Sequence, residues 1–154
     1  PTIVELGIPV LVAHFFVFYY ANLSAITPPV ALASYAAGGI VDTDMWKLGL
    51  EAFKYSMVIF LIPYIFVYYP ALLGIGTVTE IVWIIFITMV SMYAICAAII
   101  GFGFVDLNII ERIVLIGSSV IIIFPELIST IVGLVLVGVV IIMQLHKKKV
   151  ASII

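Results

Sequence analysis

Between Glu5 and Asp42 run 36 residues without a formal charge, and near their middle stands Ser24-Ala25-Ile26-Thr27-Pro28-Pro29. As one continuous helix the run would extend roughly 54 Å, against a hydrocarbon core of about 30 Å. Something must interrupt it, and the proline pair does so by known chemistry. Pro28 has no N–H for the carbonyl of Ser24, Pro29 has none for Ala25, and each ring clashes with the carbonyl four residues back. Thr27 and Pro28 both precede a proline and are driven out of the helical region toward extended geometry. The first crossing is therefore discontinuous at Thr27-Pro28-Pro29. Open backbone at membrane depth is tolerated only where it is buried in protein or lines a polar cavity.

Two readings of this break stand side by side: a bend that shapes a packing surface, and an ion site. For the second, the half-helix ending near Leu23 turns its negative dipole end toward the gap. It joins the freed carbonyls of Ser24 and Ala25 and the Thr27 hydroxyl. Asn22, Ser24, Thr27 and Ser34 gather polar side chains around the break, which lipid-facing helices have little reason to collect. No carboxylate occurs from residue 6 to residue 41, which favours a monovalent cation such as sodium over calcium. One segment supplies too few oxygens, so the remaining ligands must come from elsewhere.

With 66% hydrophobic and 9% charged residues, the chain lies outside the range of soluble domains and reads as an all-α integral membrane protein. A net charge of −2 without a basic cluster gives no footprint for nucleic acid. The single Cys96 has no CxxC partner and reads as a buried, inert thiol. No nucleophile stands beside a His and an acid, and no cofactor loop is present, so no enzyme is expected. Position 1 is proline and no basic region precedes an apolar one, so no signal peptide is read. The chain is expected to be the C-terminal piece of something longer.

Charge-free runs mark the spans: Leu6 to Val41, Tyr55 to Thr79, Ile81 to Val105, Ile113 to Pro125 and Leu127 to Leu145. Five crossings are expected; the fourth run, 13 residues long, has a re-entrant or interfacial alternative. If all five cross, Lys47, Lys54, Arg112, Lys147, Lys148 and Lys149 share one side. By the positive-inside rule that side is cytoplasmic, so the chain sits in the plasma membrane with its N-terminal end outside and its C-terminus cytoplasmic. Tyr64, Phe66, Tyr68 and Tyr69 fall at the expected outer interface, and Trp46 and Trp83 lie near other span ends. Residues 42–54 read as a short amphipathic helix lying flat on the cytoplasmic surface, capped by Thr43 or Asp44, with Met45, Leu48, Ala52 and Phe53 on its apolar side. Pro63 reads as a kink in the second span.

His14 reads as a hydrogen-bonded packing residue, with proton sensing as the alternative. Glu80 and Glu126 read as solvated boundary charges. Asp106, Glu111 and Arg112 read as a surface turn whose ion pair adds little. Lys147 to Lys149 read as a topogenic anchor that also attracts anionic lipid. Gly101 and Gly103 read as turn or packing glycines, and Gly133 and Gly138 as helix-packing sites.

The run His14-Phe15-Phe16-Val17-Phe18-Tyr19-Tyr20, then Leu23-Ser24-Ala25-Ile26-Thr27-Pro28-Pro29-Val30-Ala31-Leu32-Ala33 and Phe66-Val67-Tyr68-Tyr69-Pro70-Ala71-Leu72-Leu73, resembles the fused permease subunit of TRAP transporters, of the type that works with TAXI-class binding proteins. Glu111-Arg112 and the Ile123-Phe124-Pro125 corner resemble that type's extra C-terminal helices. The resemblance implies residues 1–73 as the C-terminal part of the transport domain and residues 74–154 as an extra three-helix membrane region. It implies sodium-coupled import of organic anions, such as carboxylates or amino acids, delivered by an extracytoplasmic binding protein, with sodium as coupling ion and no other cofactor. It further implies the Ser24 carbonyl, Thr27 hydroxyl and Val30 carbonyl as sodium ligands, with Asn22, Ala25, Pro28 and Pro29 in support. The simpler large-subunit permeases carry Gly where Ser24 and Ala31 stand here. The family's complete permease has many more helices, including two re-entrant hairpins, so this chain alone is expected not to transport. The rival expectation is a small multi-pass scaffold or assembly subunit.

Overall fold

A computed structural model describes residues 2–124 and 126–151; Pro1 and Pro125, the latter closing the fourth apolar run and the corner at residues 123–125, lie outside the described residues. The described elements are helical, apart from a single isolated bridge between Phe102 and Asp106. Two compact units form, Pro1–Thr77 and Val78–Ile154.

The first unit begins with α1 (Thr2–Glu5) and α2 (Val10–Leu23). A 3₁₀ turn at Ser24–Ile26 and the open segment at residues 27–31 follow, then α3 (Leu32–Ile40). α4 (Met45–Ser56) starts where the sequence places it, and the choice between two caps falls on Asp44, whose carboxylate accepts from Trp46 N at 2.9 Å and Lys47 N at 3.0 Å.

The structure corrects the next element. α4 is not a separate surface helix: it passes through a 3₁₀ stretch, Met57–Leu61, into α5 (Ile62–Tyr68), and together they form one rod of 24 residues, Met45–Tyr68. Nothing between Lys54 and Met57 breaks a helix, and both Ser56 and Met57 keep right-handed helical dihedrals. Pro63 is accommodated by tightening the preceding turns to i→i+3 bonding, where Ile62 N–H donates to Ile59 O. A further 3₁₀ turn, Pro70–Leu73, ends at Gly74 in the left-handed region.

The second unit holds α6 (Val78–Ile100), α7 (Ile109–Ile123) and α8 (Leu127–Ala151). α7 packs against both neighbours. The buried seam of α8, Thr130-Gly133-Val137-Val140-Gln144, advances by alternate steps of three and four, the spacing that keeps one helical stripe facing a partner. α7 presents Glu111, Leu115, Ser118, Ser119 and Ile122. Ser91 on α6 donates to Ser119 O at 3.0 Å, so the interior joins small polar groups by hydrogen bonds as membrane bundles do.

The helix lengths differ from the five crossings read from charge. Among the described residues three helices are long and apolar enough to cross: Met45–Tyr68, Val78–Ile100 and Leu127–Lys149. The break limits the first apolar helix to Val10–Ile26, and α7 has 15 residues, about 22 Å of rise.

Glu111 is a second correction. It sits in the first turn of α7, where α8 runs alongside, and its carboxylate is 5% exposed. It accepts from Lys147 Nζ at 2.7 Å, Gln144 Nε2 at 3.0 Å and Asn108 N at 2.9 Å. Lys147 is thus drawn out of the lysine run into an interhelical pair, while Lys148 lies 5.8 Å over the Phe104 ring. Arg112 serves a different end: its Nε donates to Ala98 O at 2.7 Å and its Nη2 to Ile99 O at 3.2 Å, satisfying terminal carbonyls of α6. Gly101 follows α6 in the left-handed region, the conformation that terminates a helix most cheaply in glycine.

Burial raises the Glu111 pKa, yet the bond and charge of Lys147, the Asn108 N–H and the Gln144 amide outweigh it and leave the carboxyl below its ordinary 4.5. A lowered folded pKa means that the charged form stabilises the fold above 4.5, with loss as pH falls through the lowered value. Thermal melts of the purified protein should therefore hold steady from about pH 7 to about 5 and decline below that. Glu111→Gln should flatten the acid limb; an unchanged limb would remove Glu111 as its cause.

Candidate ion-binding break in the first crossing

The break is built from four consecutive local choices. Ser24–Ile26 tighten to a 3₁₀ turn, Thr27 is extended at φ −102° and ψ 117°, the Pro28–Pro29 peptide is cis, and Ala31 takes φ 33° and ψ 39° before α3 resumes. Thr27 thus adopts the geometry that its following proline demands. Ala31, fully buried, is a non-glycine residue in the left-handed region, where a Cβ is disfavoured by about 1–2 kcal/mol.

The freed carbonyls have different fates. Ser24 O accepts Thr27 N at 3.3 Å, a long bond that leaves a lone pair over. Ala25 O has Pro28 at i+3 and Pro29 at i+4, so neither 3₁₀ nor α register offers it an N–H. Thr27 O accepts Ala31 N at 3.0 Å, and Pro29 O accepts the Tyr35 hydroxyl at 3.0 Å, which pins the turn to α3.

The side chains named from sequence turn back onto their own helix. Asn22 Nδ2 donates to Phe18 O at 2.8 Å, Ser24 Oγ to Ala21 O at 2.6 Å and Thr27 Oγ1 to Leu23 O at 2.7 Å. A hydroxyl that spends its proton this way keeps its lone pairs as acceptors, so Thr27 and Ser24 remain able to face a cation. Ser34 is buried in α3, while Ser24, Pro29 and Val30 lie at the surface of the unit. His14 is exposed on α2, which departs from its reading as a packing residue, because the packed stripe of α2 runs through Val12 and Ala13 instead. The donors gathered here are neutral, and among the described residues no group of three or more His, Cys, Asp or Glu is placed to hold a metal ion.

Two participants escaped sequence reasoning. Gly49 of α4 lies against the break: a Cβ there would stand 3.2 Å from Tyr35 Cε1, 3.7 Å from Pro28 Cγ and 3.8 Å from Ala31 Cβ. Its signal is a lone glycine on the buried side of an amphipathic helix. Tyr20, one turn before the break, donates its hydroxyl to Phe60 O at 2.8 Å, a bond between residues 40 apart.

An interrupted apolar helix packed beside a longer apolar rod within one unit is the build of a polytopic helical membrane protein. The chain belongs to the family described as "Tripartite ATP-independent periplasmic transporter, DctM component", whose model matches residues 1–81. That match takes in the first unit and ends in the first turn of α6. No curated protein and no solved structure matches the chain. It is a permease component of a TRAP transporter, and the family is one of transporters rather than enzymes.

Proposed function

We propose that this permease component imports small organic anions, such as carboxylates or amino acids, by sodium symport, and that the break between α2 and α3 is part of its sodium site. Substrate is delivered by an extracytoplasmic binding protein of the TAXI type, and the N-terminal end of the chain lies outside with the C-terminus cytoplasmic. Residues 1–73 act within the transport domain, and residues 74–154 form an additional membrane region.

The observation that carries the sodium reading is the Ala25 carbonyl, barred by two prolines from any helical donor at a point where membrane backbone must find a partner. The Ser24 carbonyl, Thr27 hydroxyl and Val30 carbonyl complete the ligands this segment offers, and the remainder come from elsewhere in the permease. Charge at the gap is graded along the chain: the negative end of α2 favours the cation, and the positive start of α3 favours a carboxylate.

The test is sodium binding by the intact permease, followed as protection from thermal unfolding during titration with sodium chloride at constant ionic strength. Thr27→Val keeps the shape and removes the hydroxyl, so half-saturation should rise roughly fivefold, the equivalent of one oxygen contact. Thr27→Ser should restore it. Equal half-saturation in all three proteins would remove Thr27 from the site.

A further inference from the structure

We propose that Tyr20 is a positioning residue that holds the ion-binding break by supplying the hydrogen bond Pro63 removes from the neighbouring rod; its effect on sodium rests on the sodium reading above. The first unit contains two interruptions, at residues 24–31 and at Met57–Leu61. In the second, Ile59 O is satisfied by Ile62 N–H at i+3. Phe60 O is next, and its i+3 residue is Pro63, which has no N–H. α5 begins only at Ile62, so Phe60 lies ahead of its regular ladder. The Tyr20 hydroxyl fills that vacancy from across the helix pair at 2.8 Å.

Packing fixes the hydroxyl in place. The Tyr20 ring lies 5.0 Å from that of Phe16, 5.9 Å from Phe60 and 6.2 Å from Tyr64, and Phe60 in turn meets Phe53 edge-on at 5.8 Å. Pro63 is itself fully buried. Ser24 is the fourth residue after Tyr20, and Tyr20 O accepts Ser24 N–H where α2 gives way to the 3₁₀ turn. The residue that bonds the second interruption therefore also anchors the last regular turn before the first. In an apolar setting an unmet carbonyl is costly, so the pair of interruptions is expected to loosen together when this one bond is lost.

Restoring the missing donor provides the decisive control. Pro63→Ala gives residue 63 an N–H within i+3 reach of Phe60 O and should make the Tyr20 hydroxyl redundant. Amide hydrogen exchange is measured by mass spectrometry on the intact permease in potassium chloride and in sodium chloride, for wild type, Tyr20→Phe, Pro63→Ala and the double variant. In potassium, Tyr20→Phe should speed exchange roughly fivefold both across 57–64 and across 24–27, and less than twofold in the Pro63→Ala background. In sodium, Tyr20→Phe should need several-fold more salt to protect 24–27. Equal acceleration in the two backgrounds, or acceleration confined to 57–64, overturns the proposal. If wild type shows no sodium protection at all, the sodium reading fails by itself, and the potassium arm still decides whether Tyr20 couples the two interruptions.

Discussion

Gly133→Ala should separate α7 from α8 and destabilise the second unit by about 2–3 kcal/mol, the scale of overpacking against atoms that cannot yield. A Cβ at Gly133 would stand 2.5 Å from Ile122 Cγ1 and 2.8 Å from Ser118 O. The first could give way by rotating, but the second is backbone, so α8 itself must move. Such movement would pull Thr130 and Val137, both buried on the same stripe, away from α7. In lipid no hydrophobic force returns the helices to one another, because lipid tails are as apolar as the side chains; close packing and interhelical bonds carry the association. Gly138→Ala is the matched control. An added Cβ there meets nothing within 4 Å, so this helical position, read from sequence as a packing glycine, should tolerate alanine within about 0.5 kcal/mol. Thermal or denaturant unfolding in detergent compares the two variants, and equal effects would show that α7 and α8 do not depend on contact at Gly133.

What the sequence discloses and what it conceals divide along the range of the interaction. The break at Thr27-Pro28-Pro29 is legible because proline acts on its own carbonyl four residues back and on its immediate predecessor, both in view along the chain. Asp44 as a cap is legible for the same reason, since its bonds reach only two and three residues ahead. Pro63 is ambiguous locally: a kink and a tightened 3₁₀ passage both accommodate it, and the choice rests on packing around Pro63 and on Tyr20, 40 residues upstream of Phe60. Glu111 is concealed more completely. Beside Asp106 and Arg112 it looks like part of a solvated turn, and only the antiparallel pairing of α7 with α8 brings Lys147, 36 residues on, to 2.7 Å. Charge counting has a similar blind spot, because it locates apolar runs without fixing how many residues each keeps helical. The run Leu6 to Val41 keeps only Val10–Ile26 and Leu32–Ile40 helical, whereas α7 starts four residues ahead of its own charge-free run and takes in Glu111 and Arg112.

On the sodium reading proposed above, Gly49→Leu should abolish most of the sodium response of the intact permease, a loss of tenfold or more in apparent affinity, with little change at the second unit. The isobutyl group would enter space already held by Tyr35 and Pro28, whose nearest atoms lie 3.2 Å and 3.7 Å from the position of a Cβ alone. Pro28 belongs to a ring-locked pair and cannot rotate away. Tyr35 can move, but only by giving up its bond to Pro29 O and with it the contact that pins the turn to α3. Either displacement changes where the Ala25 and Val30 carbonyls point, and a shift near 1 Å is enough to spoil a site whose ligands must converge. Gly49→Ala requires Tyr35 to yield by only a few tenths of an ångström and should cost far less, so the two substitutions form a graded wedge against one target. Sodium titrations by thermal protection read the gradient directly. A leucine variant that unfolds at the wild-type temperature and binds sodium within twofold of wild type would show that the packing of α4 against the break does not govern the ion.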